Sequence, residues 1–383
     1  MNRTTAAGTL VCVLALVTSC ATDRGAGDGS KRLEPEIAAY RSGASEPRGL
    51  IERRMAELEV PGASVAVIRD SEIDWARGFG LADVEGRVAV DTGTLFQAAS
   101  ISKSVAAVAA LRLVEERGLD LDSAVNELLV SWHVPDHDLG AGGPVTLRQL
   151  LSHTGGLSVH GFRGYAPGEP IPSLAQILDG APPANSDAVR VTIAPGTRFS
   201  YSGGGYTVLQ LVMTEVTGED FDTLARRAVL DPLDMQASTY RQPLPEELLD
   251  RAAVGYRADG RAVEEKRHVY PEQAAAGLWT NPSDLARFLI EIQRSLDGSS
   301  NRVLSREMTE RMLTEVAGRY GLGFALPDDP TPIFGHGGTN EGFHCLMLAT
   351  RAGGEGIVVM TNGDNGPRLH AELVAAVRRV YGW

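Results

Sequence analysis

The strongest constraint on this chain is a run of small and apolar residues, Val105 to Leu111, that follows Ser100-Ile101-Ser102-Lys103-Ser104 with no breaker between. A helix that is apolar on most sides has to be buried among other elements. The spacing therefore predicts a central helix with Ser100 at its first turn. Residues at i and i+3 share a helix face, which brings the Lys103 amine to the Ser100 hydroxyl. A serine hydroxyl is a weak nucleophile until a base takes its proton, and a lysine can be that base when desolvation or a nearby cation lowers its pKa. Of the 36 Lys+Arg, only residues 31, 103 and 266 are lysine. Where arginine is the default cation, a lysine points to a job arginine cannot do, namely releasing a proton. On this stretch alone a capped core helix with one surface lysine remains the plainer reading.

The 383 residues allow one large domain or two smaller ones with ample core. A hydrophobic content of 43% and a charged content of 22% are ordinary for a soluble globular enzyme. The formal charge of -13, with no basic cluster, argues against nucleic acid or another polyanion as partner. Residues 1–20 read as an export signal: Arg3 precedes an apolar run, Leu10 to Val17, that is too short to span a bilayer. The run ends in Val17-Thr18-Ser19-Cys20, which resembles the lipobox of bacterial lipoproteins. That resemblance implies lipidation of Cys20, membrane anchoring and a periplasm-facing protein, with Ala21 pointing to the outer membrane. A plain signal peptide cut near the same place is the alternative. Beyond Cys12 and Cys20 only Cys345 remains, so no internal disulfide framework is expected. Cys345 lies in the apolar run Phe343 to Ala349 and reads as core.

Residues 21–45, rich in Gly, Ala, Ser, Asp and Arg, read as a flexible tether. A folded domain over 46–383 follows. A short helix near 46–58 leads to strands at Ala63–Ile68 and Asp74–Leu81. From about 101 to 270 helical and loop signals dominate, with apolar helices at Tyr206–Val216 and Phe221–Leu230 and a Pro/Gly-rich stretch over 161–198. A helix over Pro282–Leu296 opens on Asn281 as cap. Short glycine-bounded strands are expected at Gly321–Leu326, Pro332–Gly335, Gly342–Ala349 and Gly356–Thr361. Leu369, Leu373, Val377, Val380 and Tyr381 then form one stripe of a last helix. The two sheet parts, about 46–100 and 271–383, can close one antiparallel sheet flanked by helices around the inserted, mainly helical region 101–270, giving an α+β fold.

Two further clusters bear chemistry. In Tyr201-Ser202-Gly203-Gly204-Gly205 the phenol stands beside glycines that admit backbone or substrate closely, and a neighbouring ammonium could lower its pKa. A loop-to-helix turn with a packed tyrosine is the bland alternative. In His336-Gly337-Gly338-Thr339-Asn340 small residues on an edge strand expose N–H groups to a carbonyl oxygen gaining charge, or else mark a bend at a strand end.

Taken together the clusters resemble the serine β-lactamase and penicillin-binding protein superfamily, in particular its class C-like branch of D-Ala-D-Ala carboxypeptidases, D-aminopeptidases and esterases. Ser100-Ile101-Ser102-Lys103 matches the nucleophile motif, Tyr201-Ser202-Gly203 stands for tyrosine-x-asparagine, and His336-Gly337-Gly338 for lysine-threonine-glycine or histidine-x-glycine. Leu150-Leu151-Ser152-His153-Thr154-Gly155-Gly156-Leu157, Asp231-Pro232-Leu233-Asp234-Met235 and Gly277-Leu278-Trp279 match as well. The resemblance implies that Ser100 forms an acyl-enzyme, that Lys103 and Tyr201 move its proton, and that the N–H groups of Ser100 and Thr339 form the oxyanion hole. It implies that His336, Gly337, Gly338, Gly203 and Asn340 bind a small-molecule, peptide or ester substrate, and that neither cofactor nor metal takes part.

Two departures bear on the substrate. Gly203 replaces an asparagine that contacts the substrate amide, leaving room for bulkier or ester substrates, and His336 replaces a lysine that binds the β-lactam carboxylate. Both favour an esterase or D-peptidase over a true class C-like β-lactamase or D-Ala-D-Ala carboxypeptidase. A non-catalytic cell-wall-binding protein on the same fold would not need Ser100, Lys103 and Tyr201 together. His133-Val134-Pro135-Asp136-His137-Asp138 lacks metal-site spacing, and Gly156-Leu157-Ser158-Val159-His160 lacks the last glycine of a nucleophile elbow.

Overall fold

The computed structural model describes residues 27–44, 48–140 and 142–383. The chain opens with α1 (Gly27–Arg41) and α2 (Leu50–Glu57), then β1 (Gly62–Arg69), β2 (Glu72–Asp83), β3 (Val88–Ala89) and β4 (Phe96–Gln97). Next come α3 (Ile101–Arg117), α4 (Leu147–Leu151), α5 (Leu174–Asp179), α6 (Gly203–Thr217), α7 (Phe221–Ala225) and α8 (Gln273–Ala276). The chain then returns through β5 (Trp279–Thr280), α9 (Pro282–Asp297), α10 (Arg306–Met312), β6 (Ile333–Asn340), β7 (Phe343–Thr350), β8 (Gly356–Thr361) and α11 (Gly366–Tyr381). Six strands form one antiparallel sheet in the order β3-β2-β1-β8-β7-β6. The first and last parts of the chain meet where β1 pairs with β8, Val65 opposite Val359. The result is an α+β fold: an antiparallel sheet flanked by helices, with a mainly helical region between its two parts.

Successive residues of a strand point to opposite faces. In β1, Ala66 and Ile68 enter one core, and Ala63, Val65 and Val67 the other. In β7, Cys345, Met347 and Ala349 face the first core, and Leu346 and Leu348 the second. The first core holds α3, α9 and the helical region, whereas the second is closed by α1 and α11. Both faces being covered, β1, β7 and β8 read as unbroken apolar runs rather than alternating ones. Helix α9 begins as its sequence directs: Asn281 accepts the Asp284 N–H at 2.9 Å, Pro282 follows, and Gly298 ends it with φ 83°.

Three expectations are corrected. The expected tether over 21–45 is, from Gly27 to Arg41, the helix α1, whose Leu33, Ile37 and Tyr40 are buried against the face closed by α11. Each such side chain contributes about 1.5–3 kcal/mol. The buried Glu36 of α1 also supplies the cap that Gly49 cannot give α2, accepting the N–H groups of Leu50 at 2.6 Å and Ile51 at 3.0 Å. Second, Gly321–Leu326 forms only isolated bridges, because Gly323 (φ +91°) folds over α3 so closely that a Cβ there would meet that of Ala107 at 2.3 Å. Third, the glycines 203–205 are the first turn of α6, capped by Ser202, whose hydroxyl accepts the Gly205 N–H at 2.8 Å. Cys20 and the signal segment lie outside the described residues. Among the described residues no helix is long and apolar enough to cross a membrane.

Candidate active site

Ala99, immediately before the nucleophile, has φ +49°. A left-handed alanine costs about 1–2 kcal/mol and persists only where its surroundings hold it. Here the Ala98 N–H donates to Leu278 O at 2.8 Å, and the Ser102 hydroxyl accepts the Leu278 N–H at 3.0 Å. From the other side β6 presses on the same turn: a Cβ at Gly338 would stand 2.2 Å from Ala98 O and 3.1 Å from Ser100 N. Only glycine fits there. Gly338 thus sets the edge strand of the sheet directly beside the start of α3.

The Lys103 amine lies 3.1 Å from the Ser100 hydroxyl and donates to Ala275 O at 2.7 Å. It is 2% exposed and, among the described residues, makes no ion pair with a carboxylate. Desolvation brings its pKa down to about 7, so a neutral amine able to accept the serine proton is well populated near pH 7. Tyr201 is placed next to this pair, with the lysine nitrogen 5.0 Å from its ring centroid. Its hydroxyl is buried with no hydrogen-bond partner. The expected lowering of its pKa does not occur. Burial pushes the phenol up, and the nearby Ser100 hydroxyl offsets this only in part. Of the two candidate bases, Lys103 is the one poised to take a proton.

His153 holds Tyr201 from both sides of its backbone. Its carbonyl oxygen accepts the Ser200 N–H at 2.8 Å, and its Nδ1 accepts the Ser202 N–H at 3.1 Å. Its ring packs on that of Tyr201 at 4.1 Å between centroids. Nδ1 can accept only from a neutral imidazole, and burial, Lys103, His336 and His160 all push its pKa well down. In the sequence His153 stands inside the motif Leu150–Leu157 with nothing beside it that assigns it a role. The Ser152-His153-Thr154 pattern was the available signal.

Several expected substrate contacts take other positions. His336 is fully buried, its Nδ1 2.6 Å from Gly337 O and its Nε2 3.0 Å from the Tyr320 hydroxyl. Burial and Lys103 lower its pKa to about 3, so it is neutral and cannot serve as an exposed cation for a carboxylate. Gly337 supplies that carbonyl, and Gly338 backs the nucleophile turn. Asn340 is buried, donating to the Gln97 side chain at 2.9 Å and to Ala276 O at 3.3 Å, so it ties β6 to β4 rather than meeting substrate. Gly203 is closely approached by the loop before α5. A Cβ there would meet Phe162 at 3.0 Å and His160 O at 3.1 Å, so the loop bearing those residues fills the space. Thr339 is exposed on β6 next to Gly338, with its hydroxyl 3.2 Å from His344 Nδ1. The Cys345 thiol is buried, pushed up by burial, and donates to Gln97 O.

Beside Tyr201 opens a cavity of about 420 Å³, lined among others by His160, Arg198, Phe199 and Tyr201. Arg198 is exposed and has no ion-pair partner among the described residues. The residues at 133–138 form no metal-binding group, nor does any other set of His, Cys, Asp and Glu among the described residues.

The model of the family described as Beta-lactamase matches residues 48–381. The chain belongs to the beta-lactamase family. Among relatives in this family, Protein flp of Staphylococcus aureus is 27% identical over 334 residues, 82% of this chain and 62% of its own length. The chain thus spans 62% of the length of that relative. Penicillin-binding protein 4 of Amycolatopsis lactamdurans is 29% identical, over 83% of this chain and 84% of its own. Among solved structures, an octameric penicillin-binding protein homologue from Pyrococcus abyssi superposes with a TM-score of 0.69 at 25% identity, over 87% of this chain and 76% of its own. The D-amino acid amidase of Ochrobactrum anthropi shares the fold, with a TM-score of 0.70 at 21% identity over 92% of this chain and 99% of its own.

Proposed function

We propose that this protein is a serine hydrolase that forms an acyl-enzyme at Ser100 and acts on small ester or amide substrates rather than as a dedicated β-lactamase. The observation that carries this reading is the desolvated Lys103 amine 3.1 Å from the Ser100 hydroxyl with its pKa near 7. Lys103 takes the Ser100 proton as the oxygen attacks the substrate carbonyl. The N–H groups of Ser100, at the nucleophile turn, and of Thr339, next to Gly338 on β6, take the charge that develops on the carbonyl oxygen. Tyr201, a neutral phenol, delivers a proton to the leaving group and regains one from the Lys103 ammonium; Lys103, neutral again, takes the proton of the attacking water and returns it to Ser100 as the acyl group leaves.

Substrate preference follows from what surrounds these residues. A neutral, buried His336 removes the cation that a β-lactam carboxylate would meet, and Phe162 and His160 fill the space of the asparagine side chain that contacts the substrate amide. A substrate carboxylate would instead meet Arg198 on the cavity wall. The test uses fluorescent penicillin, nitrocefin, p-nitrophenyl esters and a D-Ala-D-Ala peptide on wild type and Ser100→Ala. Ester turnover that is lost in Ser100→Ala, with little nitrocefin turnover, is the expected result. Rapid nitrocefin hydrolysis overturns the preference, and no labelling by a fluorophosphonate overturns the enzyme reading itself.

We also propose that Cys20 carries a lipid and anchors the protein to the periplasmic side of the membrane. The lipobox-like Val17-Thr18-Ser19-Cys20 supports this. Release of Cys20→Ser from the membrane fraction is the expected outcome, and retention refutes the anchor.

A further inference from the structure

A cavity of about 610 Å³ shares no lining residue with the one beside Tyr201. Its volume lies in the range of small-molecule sites. Two of its lining residues carry buried N–H donors with no acceptor: Arg267 at Nε and Trp279 at Nε1. Trp279 is 1% exposed, and the Arg267 guanidinium lies 5.9 Å from its ring centroid. A buried donor left unpaired costs about 1–3 kcal/mol, more when charged, so two of them on one cavity require an explanation.

The other basic side chains of this cavity have partners. Lys266 pairs with Asp83 at 3.0 Å, and His268 Nδ1 is 3.0 Å from Arg163 O and 3.4 Å from Glu341. Arg267 has no hydrogen bond or ion pair among the described residues; burial pushes its pKa down, and Asp83, already held by Lys266, offsets this only in part. One part of the lining is apolar. Ile171 and Leu249, 39% and 41% exposed, are among the few large apolar side chains left in solvent, and both line this cavity with Pro243 and Leu244. Glu169, Asp250 and Glu265 also line it, which disfavours a ligand with dense negative charge.

We propose that this cavity is a second, non-catalytic binding site for a small organic acid, its single carboxylate accepting hydrogen bonds from Arg267 and Trp279 and its apolar body lying against Ile171, Leu249, Pro243 and Leu244. A carboxylate is the acceptor that satisfies a guanidinium bidentately, and Arg is the side chain suited to it. The site is linked to the nucleophile turn: Trp279 pairs with Gln97 and follows Leu278, whose N–H and carbonyl hold Ser102 and Ala98, and His268 O accepts the Gln97 side chain at 2.7 Å.

The test is calorimetric titration of the protein with 4-phenylbutyrate and with its uncharged counterpart 4-phenylbutanamide. Saturable binding of the acid at one site is expected, at least tenfold tighter than the amide. Arg267→Gln should weaken it at least tenfold, and Trp279→Phe, which keeps the ring and removes the donor, should weaken it less. Blocking Ser100 with a fluorophosphonate should leave it unchanged. Because Arg267→Gln removes a buried charge with no partner, its melting temperature should stay level or rise. The inference is overturned by absence of saturable binding, by equal affinity for acid and amide, or by unchanged affinity in both variants. It is also overturned by competition from the Ser100 adduct, which would put the acid in the acylation cleft. A marked fall in the melting temperature of Arg267→Gln overturns it too, since the guanidinium would then be part of the scaffold. None of these readouts depends on hydrolysis by Ser100, so failure here leaves the acyl-enzyme reading untouched.

Discussion

At Lys103 the environment decides the chemistry. Its amine is buried without a carboxylate, so its pKa falls to about 7 by desolvation. Acylation should therefore lose rate as pH drops below about 7 and level off above it. Stopped-flow ester acylation across pH 5–9 reads this limb directly, and a limb near 10 would remove Lys103 as the resting base. Lys103→Arg keeps a cation and cannot release a proton, so it should cost about 10²–10⁴-fold in kcat. His153 is a positioning residue, holding the backbone on both sides of Tyr201. Replacement by Phe keeps the ring packing and removes the acceptor; a misplaced phenol should lower kcat about 10²-fold with KM little changed. His153→Asn, which restores an acceptor, should recover most of the rate. Equal losses in both variants would indicate packing alone. Ser100, Lys103 and Tyr201 were legible because the first two are neighbours on a single helix turn and the third belongs to a recognisable short motif. The burial that raises the phenol, the occupied space at Gly203 and the inward turn of His336 were not legible, since each arises from elements far apart in sequence meeting in space.

Helix α1 shows the same limit at the scale of elements. Its apolar stripe is three residues, Leu33, Ile37 and Tyr40, diluted by charge, and it is stable because it packs on α11 and because Glu36 caps α2. Neither partner is visible in the segment itself, whereas α9 carries its own cap and stripe and α11 its own stripe and closing Gly382, so both are readable over nearly their full lengths. Arg54 of α2 adds a bidentate pair to Glu372 of α11, both bonds 2.7 Å, so the two terminal helices and α2 form one unit. Glu36 accepts only donors: the N–H groups of Arg48, Leu50 and Ile51 and the Tyr40 hydroxyl. Glu36→Gln turns one acceptor into a donor facing donors and should cost about 1–3 kcal/mol. Thermal melting should fall by several degrees while kcat stays unchanged; an unaltered melting temperature would show that α2 needs no cap.

Across the whole molecule, buried neutral histidines tie stability to pH. His336 and His370 each have a pKa near 3 against an ordinary 6.5, and His153 is also pushed well down. In the unfolded chain these imidazoles take up protons below about 6.5, whereas in the folded protein His336 and His370 resist doing so until about 3 and His153 resists as well. The unfolded state therefore binds more protons throughout that window, so stability is lost as pH falls from 6.5 toward 3. Chemical denaturation at pH 7, 5.5 and 4.5 should show a steadily falling midpoint, less steeply in His370→Gln; a flat profile would contradict the burial of these rings.

The groups proposed for acylation come from two halves: Ser100, Lys103 and Tyr201 from the start of α3 and the turn before α6, Gly338 and Thr339 from the edge strand β6. Few bonds cross this seam at the nucleophile. Asn340 reaches Gln97, the Cys345 thiol reaches Gln97 O, and the close Gly338–Ala98 approach does the rest. Such a centre behaves like the mating faces of a shut mould, functional only while the halves stay registered to a fraction of an ångström. Heat or mild denaturant that lets them slip should silence the enzyme while both hydrophobic cores still stand, so activity should vanish a few degrees before the circular dichroism signal does.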